Sequence, residues 1–217
     1  MTYSDDLIDL GDRRLRMRRL VPRQEDGIER TTLVFLHEGL GCIEMWRDFP
    51  QKLCDATRAA GIVYDRTGYG GSSPWPADPG QRYMEIEADE VLPRLLQKLG
   101  IEDCVLVGHS DGGTIALNYA ARDPEPLRAV VTLAAHAINE PVCVSSIVKA
   151  REAFAAGDLR QRLMKYHGAN TDGAGLVADS VPQTEYQEVL AKSAFVRRAV
   201  ALAEEGLGAL LGGSRGH

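Results

Sequence analysis

Several features that would assign this chain to a special class of protein are missing from its 217 residues. No stretch contains the roughly 18 consecutive apolar residues that a membrane-spanning helix needs. No run of like charges forms an acidic or basic tail, and the net charge is only −6. The opening segment, MTYSDDLIDL, lacks the basic region followed by an apolar region that marks an export signal. These absences predict a cytoplasmic protein that does not contact a membrane.

Cysteine is also scarce, with only four residues in the chain. They lie far apart and have no metal-ligand spacing: Cys42, Cys54, Cys104 and Cys143. We therefore expect structural thiols in a reducing compartment, and neither a metal nor another cofactor. The densest basic patch, RRLRMRR at 13–19, has apolar residues between its arginines. This alternation favours the solvent-facing side of an edge strand over a nucleic-acid site, so the expected partner is a small-molecule substrate.

What the sequence does contain is an alternation of apolar strands with helical patterns. Hydrophobic residues make up 44% and charged residues 26%, which is ordinary for a globular domain. A hairpin pattern, LIDLGDRRLRMRRL at 7–20, comes first. The apolar strand patterns are TTLVFL at 31–36, IVYD at 62–65, CVLVG at 104–108 and RAVVTLAA at 128–135, and the helical patterns lie at 45–60, 83–99 and 111–123. Pro93 is expected to kink the second helix or to delay its start. The alternation predicts an α/β fold with a mostly parallel sheet covered by helices on both faces.

A serine lies where one strand pattern turns directly into a helix pattern. The segment Gly108-His109-Ser110-Asp111-Gly112 matches G-x-S-x-G in the context that this motif requires. A serine in so sharp a turn projects its hydroxyl from the carboxyl end of the strand, where α/β proteins bind ligands. The pentapeptide alone would equally suit a helix N-cap. Its position between a strand and a helix favours Ser110 as a nucleophile.

The loop FLHEGLG at 35–41 follows the first buried strand and supplies the second part of the predicted site. Such a loop can turn a backbone N–H toward the serine, and we expect Gly39 to be this donor. The N–H of Asp111 would be the other, so that both bind the oxyanion formed by attack on a carbonyl. His37 is expected to order the loop by hydrogen bonding. Glu38 is expected to be a structural acceptor that points away or is paired.

Three stretches, FLHEGLG, YDRTGYGGSS at 64–73 and LVGHSDGG at 106–113, together resemble the α/β-hydrolase family. The similarity is to its large cofactor-independent group of esterases, enol-lactone hydrolases, haloperoxidases and proline iminopeptidases. The resemblance implies hydrolysis of an ester, thioester, lactone or similar carbonyl substrate by a serine nucleophile with an oxyanion hole. It also implies that Asp65 and Arg66 lock their loop by hydrogen bonds and ion pairing and take no part in the chemistry.

The resemblance further implies a division of the chain. Residues 1–136 would form the hydrolase core and residues 137–170 a partial helical cap, whereas the tail 171–217 does not match the family. Helical patterns in these later parts lie at 145–156, 158–166 and 183–205. No buried strand pattern follows Ala135, so we expect a sheet that is incomplete at its C-terminal edge. An exposed parallel edge and an uncovered face would favour poor solubility or obligate homodimerisation.

Serine catalysis also needs a base and an acid that orients it, and the family order is Ser, then Asp or Glu, then His. Neither partner is identifiable after Ser110. His136, at the end of a strand pattern, is the base candidate that could face the pocket. His217 is the last residue of a glycine-rich segment. His109 takes the place of a packing residue in the elbow, and His167 is expected to cap the C-terminus of its helix.

Three hypotheses of different classes therefore stay open, and with them the question of whether the chain is a competent enzyme. The first hypothesis is an active hydrolase whose base is His136 or comes from another subunit. Alternatively, it is a small-molecule-binding protein that kept the pocket and lost the triad. The third hypothesis is a truncated or frame-shifted, catalytically impaired hydrolase homologue, which the loss of resemblance near Asn170 favours. The acids Glu140, Asp172 and Asp179 lie in loop patterns and identify no triad member.

Overall fold

A six-stranded, mostly parallel sheet forms the centre of the protein. The computed structural model describes residues 5–23, 31–135 and 141–171. The strands are β1 (Asp5–Asp9), β2 (Arg14–Leu20), β3 (Thr32–Leu36), β4 (Gly61–Tyr64), β5 (Cys104–His109) and β6 (Leu127–Leu133). Their order is β1-β2-β4-β3-β5-β6, with β1 and β2 antiparallel to their neighbours and the other four strands parallel. The predicted α/β fold with a mostly parallel sheet is confirmed.

Helices cover both faces of this sheet and bury two apolar cores. They are α1 (Phe49–Thr57), α2 (Tyr83–Ile86), α3 (Leu92–Leu99), α4 (Asp111–Ala120), α5 (Pro141–Ala155) and α6 (Asp158–His167). Leu36 and Leu95 belong to the larger core, which the sheet forms with α2, α3 and α4. Phe35, Trp46 and Cys54 belong to the smaller core on the side of α1. Since neighbouring residues of β3 point to opposite faces, one apolar strand contributes to both cores.

The basic residues of β2 lie on its solvent-facing side, as the alternation predicted. Leu15 and Met17 are fully buried, while Arg16 and Arg18 alternate with them and lie on the other face. Arg18 pairs with Asp5 across the hairpin at 2.6 Å. The prediction of an edge strand is wrong, because β1 pairs with β2 along its other side and is itself the edge. β1 therefore covers the edge of β2 that would otherwise be exposed.

The long helical segment between β4 and β5 contains a widened turn. Residues Glu87–Val91 form a π-helical turn between α2 and α3, and Pro93 follows it in the first turn of α3. Proline has no N–H to donate and its ring collides with the carbonyl four residues earlier. A π turn is a local way to relieve that collision. The expected disturbance at Pro93 is thus observed as a π turn.

The helix predicted for 45–60 is shorter than expected. A 3₁₀ turn at Ile43–Trp46 comes first, and α1 begins only at Phe49, with Pro50 in its first turn. The helix ends at Arg58, which takes a left-handed conformation with φ 54°, and not at the glycine of β4. Apolar spacing runs across both pieces, so periodicity alone could not separate them.

The segment predicted to be a partial helical cap contains α5 and α6, followed by a 3₁₀ turn at Gly168–Asn170. Among the described residues, β6 is the last strand and forms an edge of the sheet, and Val131 and Leu133 on it are 45% and 37% exposed. The helix expected at 183–205, and the tail that contains it, lie outside the described residues. No helix within the described ranges is both long and apolar enough to cross a bilayer.

Candidate active site

Ser110 stands alone between the end of β5 and the start of α4, in a strained backbone conformation. Its φ is 51° and its ψ is −116°, a region that residues with a side chain rarely occupy. Its N–H donates to the carbonyl oxygen of Leu133 at 2.8 Å, which ties the turn to β6. The side chain is only partly buried. This is the geometry of a nucleophile elbow, in which the strand-to-helix turn holds a hydroxyl accessible.

Two glycines on either side of Ser110 permit this turn because other backbone passes where their side chains would lie. A Cβ on Gly108 would stand 2.3 Å from the Gly112 oxygen, and one on Gly112 would stand 2.0 Å from the Leu36 oxygen. Real Cβ atoms are essentially never found so close to backbone atoms. The two glycines thus bring the start of α4 against the end of β3 and place Ser110 beside the loop that follows.

The two predicted oxyanion donors belong to neighbouring segments. A Cβ on Gly39 would lie 2.7 Å from the carboxylate of Asp111, so the loop after β3 contacts the first residue of α4. The hydroxyl of Tyr83 donates to Asp111 Oδ2 at 2.9 Å, and Arg66 Nη2 lies 3.8 Å from the same oxygen. These two contacts hold the Asp111 side chain in place. Tyr83 was not singled out from the sequence, because nothing local links it to the elbow.

His37 is fully buried and both of its ring nitrogens are engaged by backbone groups. Nδ1 lies 2.7 Å from the carbonyl oxygen of Glu38, and Nε2 lies 2.9 Å from the backbone N of Arg66. A carbonyl can only accept and an amide can only donate, so Nδ1 carries the proton. Burial, with Arg66 nearby, holds the pKa of His37 well below its usual value. The ring is a neutral brace for the loop, in line with the ordering role expected from the sequence.

Glu38 is paired, as the sequence analysis required of a carboxylate at this place. Its Oε2 lies 3.2 Å from Nδ1 of His109, the residue before Ser110. The His109 side chain is 41% exposed, and its ring lies 6.2 Å from that of Trp46 between centroids. His109 is therefore partly exposed, at the position where the family usually has a packing residue. It connects the elbow to the loop after β3 and draws the Glu38 charge toward itself.

Asp65 and Arg66 lock the loop after β4, as expected. The Asp65 carboxylate accepts from the N–H groups of Ile43 and Gly71 at 2.7 and 2.8 Å and lies 2.7 Å from Arg16 Nε. Arg66 donates to the carbonyl oxygen of Glu38 at 3.0 Å. Its guanidinium also lies over the ring of Tyr69, 4.7 Å from the centroid. Both residues are fully buried, and both hold backbone rather than face the serine.

One group among the described residues has the donor types of a cation site. The ligand atoms of Cys42, Glu44 and Asp65 lie within 4.8 Å of one another. However, Arg16 already pairs with both carboxylates, at 2.6 Å from Glu44 and 2.7 Å from Asp65. Burial and the adjacent Glu44 raise the pKa of the Cys42 thiol to about 12, so the thiol keeps its proton. The chemistry of the group favours an internal ion pair over a bound metal.

His167 does not cap its own helix, and that prediction is wrong. Its Nδ1 accepts from the N–H of Gly70 at 3.0 Å, and its Nε2 lies 3.0 Å from the carbonyl oxygen of Leu40. Asn170 adds two further bonds, from its amide to the carbonyl oxygens of Gly70 and Ser72. A C-terminal histidine can satisfy helix carbonyls, but here the ring points away from α6 into two loops of the core. The end of α6 is therefore hydrogen-bonded to the loops that follow β3 and β4.

Among the described residues, every histidine is already engaged. His37 and His167 use both ring nitrogens on backbone groups, and His109 uses Nδ1 on Glu38. The base candidate His136 lies outside the described residues, as do Glu140, Asp172, Asp179 and His217. The residue before it, Ala135, is described, and its Cβ would be 2.7 Å from a Cβ placed on Gly113. The chain thus reaches the start of α4 just before His136.

Glu87 is a further residue that sequence reasoning did not select. It is fully buried in the π turn, and its carboxylate accepts from the N–H of Thr67 at 3.0 Å. Burial raises its pKa. The signal for it was present, since a glutamate interrupts the apolar side of a helix that includes Met84 and Val91. Glu87 thus supports the loop after β4 through the backbone of Thr67.

Comparison with known proteins agrees with this architecture. The family model described as "alpha/beta hydrolase fold" matches residues 31–171. RutD of Pseudomonas savastanoi pv. phaseolicola, named as a carbamate hydrolase, is 37% identical over 112 residues, which cover 50% of this chain and 40% of that protein. The sn-1-specific diacylglycerol lipase ABHD11 of Danio rerio is 32% identical over 103 residues, which cover 48% of this chain and 31% of that one. The matches therefore span less than half the length of these relatives.

Solved structures share the fold at low sequence identity. The haloalkane dehalogenase DatA from Agrobacterium tumefaciens C58 matches with a TM-score of 0.64 and 19% identity, covering 92% of this chain and 75% of that one. A carboxylesterase of Nitrososphaera gargenis matches with a TM-score of 0.61 and 20% identity, covering 90% and 76%. At such identities the likeness concerns the fold alone.

Proposed function

Because the chain belongs to the alpha/beta hydrolase fold family, and its relatives are hydrolases, we propose that Ser110 is the nucleophile of a hydrolase acting on an ester, thioester, lactone or similar carbonyl. The observation that carries the proposal is the backbone of Ser110 at φ 51°. A helix N-cap serine ordinarily has an extended backbone with φ negative. A strained serine with glycines packed on both sides has a cost that an N-cap does not require.

The proposed reaction begins when Ser110 Oγ attacks the carbonyl carbon of the substrate. The carbonyl oxygen becomes an oxyanion, and we place it against the N–H groups of Gly39 and Asp111. The contact between these two residues, and the N-terminus of α4 with its partial positive charge, support this assignment. Collapse of the intermediate expels the alcohol, thiol or internal leaving oxygen and leaves an acyl-serine. Attack by water then releases the acid and restores the hydroxyl.

His136 is the proposed base that takes the hydroxyl proton. The contact of Ala135 with Gly113, and the bond from Ser110 to Leu133, bring the end of β6 beside the elbow directly before this residue.

The three described cysteines, Cys42, Cys54 and Cys104, are unpaired and buried. Unpaired thiols support the proposal of a reducing, cytoplasmic compartment.

A second candidate is a catalytically impaired homologue or a small-molecule-binding protein with the same pocket. The engagement of the described histidines by other groups favours it, since His37 and His167 use both ring nitrogens on backbone and His109 uses Nδ1 on Glu38. Without a base, a serine enzyme loses several orders of magnitude in rate. The two candidates share the fold and the elbow, so they differ only in the reactivity of Ser110.

Labelling with a fluorophosphonate probe separates the two. The expected result is covalent labelling of the wild-type chain that Ser110→Ala abolishes and His136→Ala reduces by at least about 100-fold. Ser145→Ala, on an exposed part of α5, is the matched control and should label like the wild type. If folded wild-type protein does not react above the level of Ser110→Ala, the hydrolase proposal is wrong and the binding function replaces it.

A further inference from the structure

One imidazole connects the cap to both loops that surround Ser110. His167 is only 2% exposed and ends α6. It bonds Gly70 in the loop after β4 and Leu40 in the loop after β3, residues that lie 97 and 127 positions away along the chain. Leu40 directly follows Gly39, the proposed oxyanion donor. A change in this one ring would therefore be transmitted to the backbone N–H on which the proposed chemistry depends.

The partners of His167 determine its protonation. The amide of Gly70 can only donate, so Nδ1 must be an unprotonated acceptor. The carbonyl of Leu40 can only accept, so Nε2 must carry the proton. This neutral tautomer is the only form that satisfies both bonds. A second proton on Nδ1 would direct one N–H against another and break the bond to Gly70.

The loop that His167 holds is in a conformation that needs external support. Leu40 has a φ of 62°, a left-handed conformation that is unfavourable for a residue with a side chain. The bond from His167 to its carbonyl and the brace of His37 on Glu38 are contacts that oppose relaxation. Asn170 fixes the other loop independently of protonation, through the carbonyl oxygens of Gly70 and Ser72. Protonation therefore acts on the Gly70 N–H, which loses its acceptor, whereas Nε2–H donates to the Leu40 carbonyl in either form of the ring.

We propose that His167 is a positioning residue that holds the Leu40 segment, and with it the Gly39 N–H, in the arrangement that the oxyanion site needs. When the ring takes a second proton in acid, it releases the Gly70 N–H in the loop after β4 and keeps its bond to the Leu40 carbonyl. The catalytic consequence rests on the proposed function of Ser110, whereas the loop contact itself does not.

The charges around His167 decide where this release occurs. Burial lowers the pKa of His167, while the Leu40 carbonyl and the carboxylates of Asp65 and Glu44 act to raise it. Arg16 acts in the same direction as burial. His37 is a second buried ring near it, and Tyr69 packs edge-on at 5.9 Å between ring centroids. The neutral ring therefore persists at neutral pH, and the release is expected below the usual histidine value of about 6.5.

Hydrogen exchange of the full chain tests the proposal without needing a substrate. Backbone protection is measured by mass spectrometry for peptides spanning 38–45 and 66–73, corrected for intrinsic exchange, at pH 7.5 and 5.5. Wild-type protein should lose about tenfold protection at 66–73 on acidification, the effect expected for the lost hydrogen bond from Gly70 N–H to Nδ1, and should keep its protection at 38–45. His167→Gln, which keeps an amide donor and acceptor but does not titrate, should stay protected at both pH values. His167→Ala should lack the protection at both, and Gln161→Ala on the exposed side of α6 should match the wild type.

Equal protection at 66–73 in wild type, His167→Gln and His167→Ala at both pH values would overturn the inference. Fluorophosphonate labelling of the same samples tells this failure from that of the proposed function. Protection that follows His167 without any labelling of wild type leaves the positioning role intact and refutes the nucleophile. Labelling at an unchanged rate in His167→Ala, with unchanged protection, refutes the positioning role and leaves the nucleophile intact.

Discussion

Gly112 and Leu36 touch backbone to backbone: a methyl group on the Gly112 Cα would stand 2.0 Å from the Leu36 carbonyl oxygen. This contact joins the first turn of α4 to the end of β3, and it is what brings the nucleophile elbow beside the loop of Gly39. The strained φ of Ser110 is maintained because the segments on both sides of it are packed this closely.

Gly112→Ala should therefore destabilise the protein by at least about 3 kcal/mol, because backbone cannot move aside as a flexible side chain can. Urea denaturation followed by circular dichroism measures the loss. Gly100→Ala is the comparison, since that glycine has open space around its Cα and only its φ of 64° opposes a side chain. It should cost about 1–2 kcal/mol. Equal losses for the two variants would mean that the contact with Leu36 is not tight.

Tyr83→Phe should weaken the site without changing its shape. The variant removes the hydroxyl that donates to Asp111 Oδ2 and leaves the carboxylate with Arg66 at 3.8 Å. A hydrogen bond to a charged acceptor contributes about 1.5–3 kcal/mol, so we expect a loss of stability of that order. We also expect slower fluorophosphonate labelling, since Asp111 supplies a proposed oxyanion donor. Tyr166→Phe, at a half-buried position of α6, should change neither quantity.

Stability should fall as the pH is lowered below about 6.5. The folded protein keeps His37 and His167 neutral, since burial lowers the pKa of both, whereas the unfolded chain binds protons at both rings near the usual value. Stability is then complete above that value and is lost toward acid, by up to about 1.4 kcal/mol per pH unit for each ring.

Urea midpoints between pH 8 and 5 measure this slope. His37→Gln should reduce it by the contribution of one proton, and the double variant with His167→Gln by that of two. A slope that survives in the double variant would assign the acid sensitivity to other groups.

The exposed face of β6 is expected to cause self-association. Val131 is 45% exposed on the edge strand, beside Leu133, and we predict a dimer or poor solubility. Val131→Lys should shift sedimentation velocity profiles toward the monomer. Val21→Lys is the matched control, at a valine that directly follows β2 and is 59% exposed, and it should leave the profile unchanged. A wild-type chain that sediments as a monomer and unfolds cooperatively would contradict the prediction.

The elements were predictable where a local pattern determines them. The apolar strands, the hairpin turn at Gly11 and the elbow around Ser110 each depend on residues that are close in the chain. The helix at 45–60 was predicted too long because one apolar period continues through a 3₁₀ turn and α1. The inner position of β2 in the sheet could not be recognised, since pairing on both sides of a strand leaves no local pattern in the sequence.

The sequence by itself determined the α/β fold and the strand-turn-helix that presents Ser110, because backbone preferences and apolar alternation act over a few residues. Only the tertiary structure decided what each polar side chain does. Glu38 meets His109 over 71 residues and His167 meets Gly70 over 97. A hydrogen bond forms between groups that the fold brings within about 3 Å, whatever their separation in the chain. That proximity is a property of the packed sheet and helices, and no short stretch of sequence contains it.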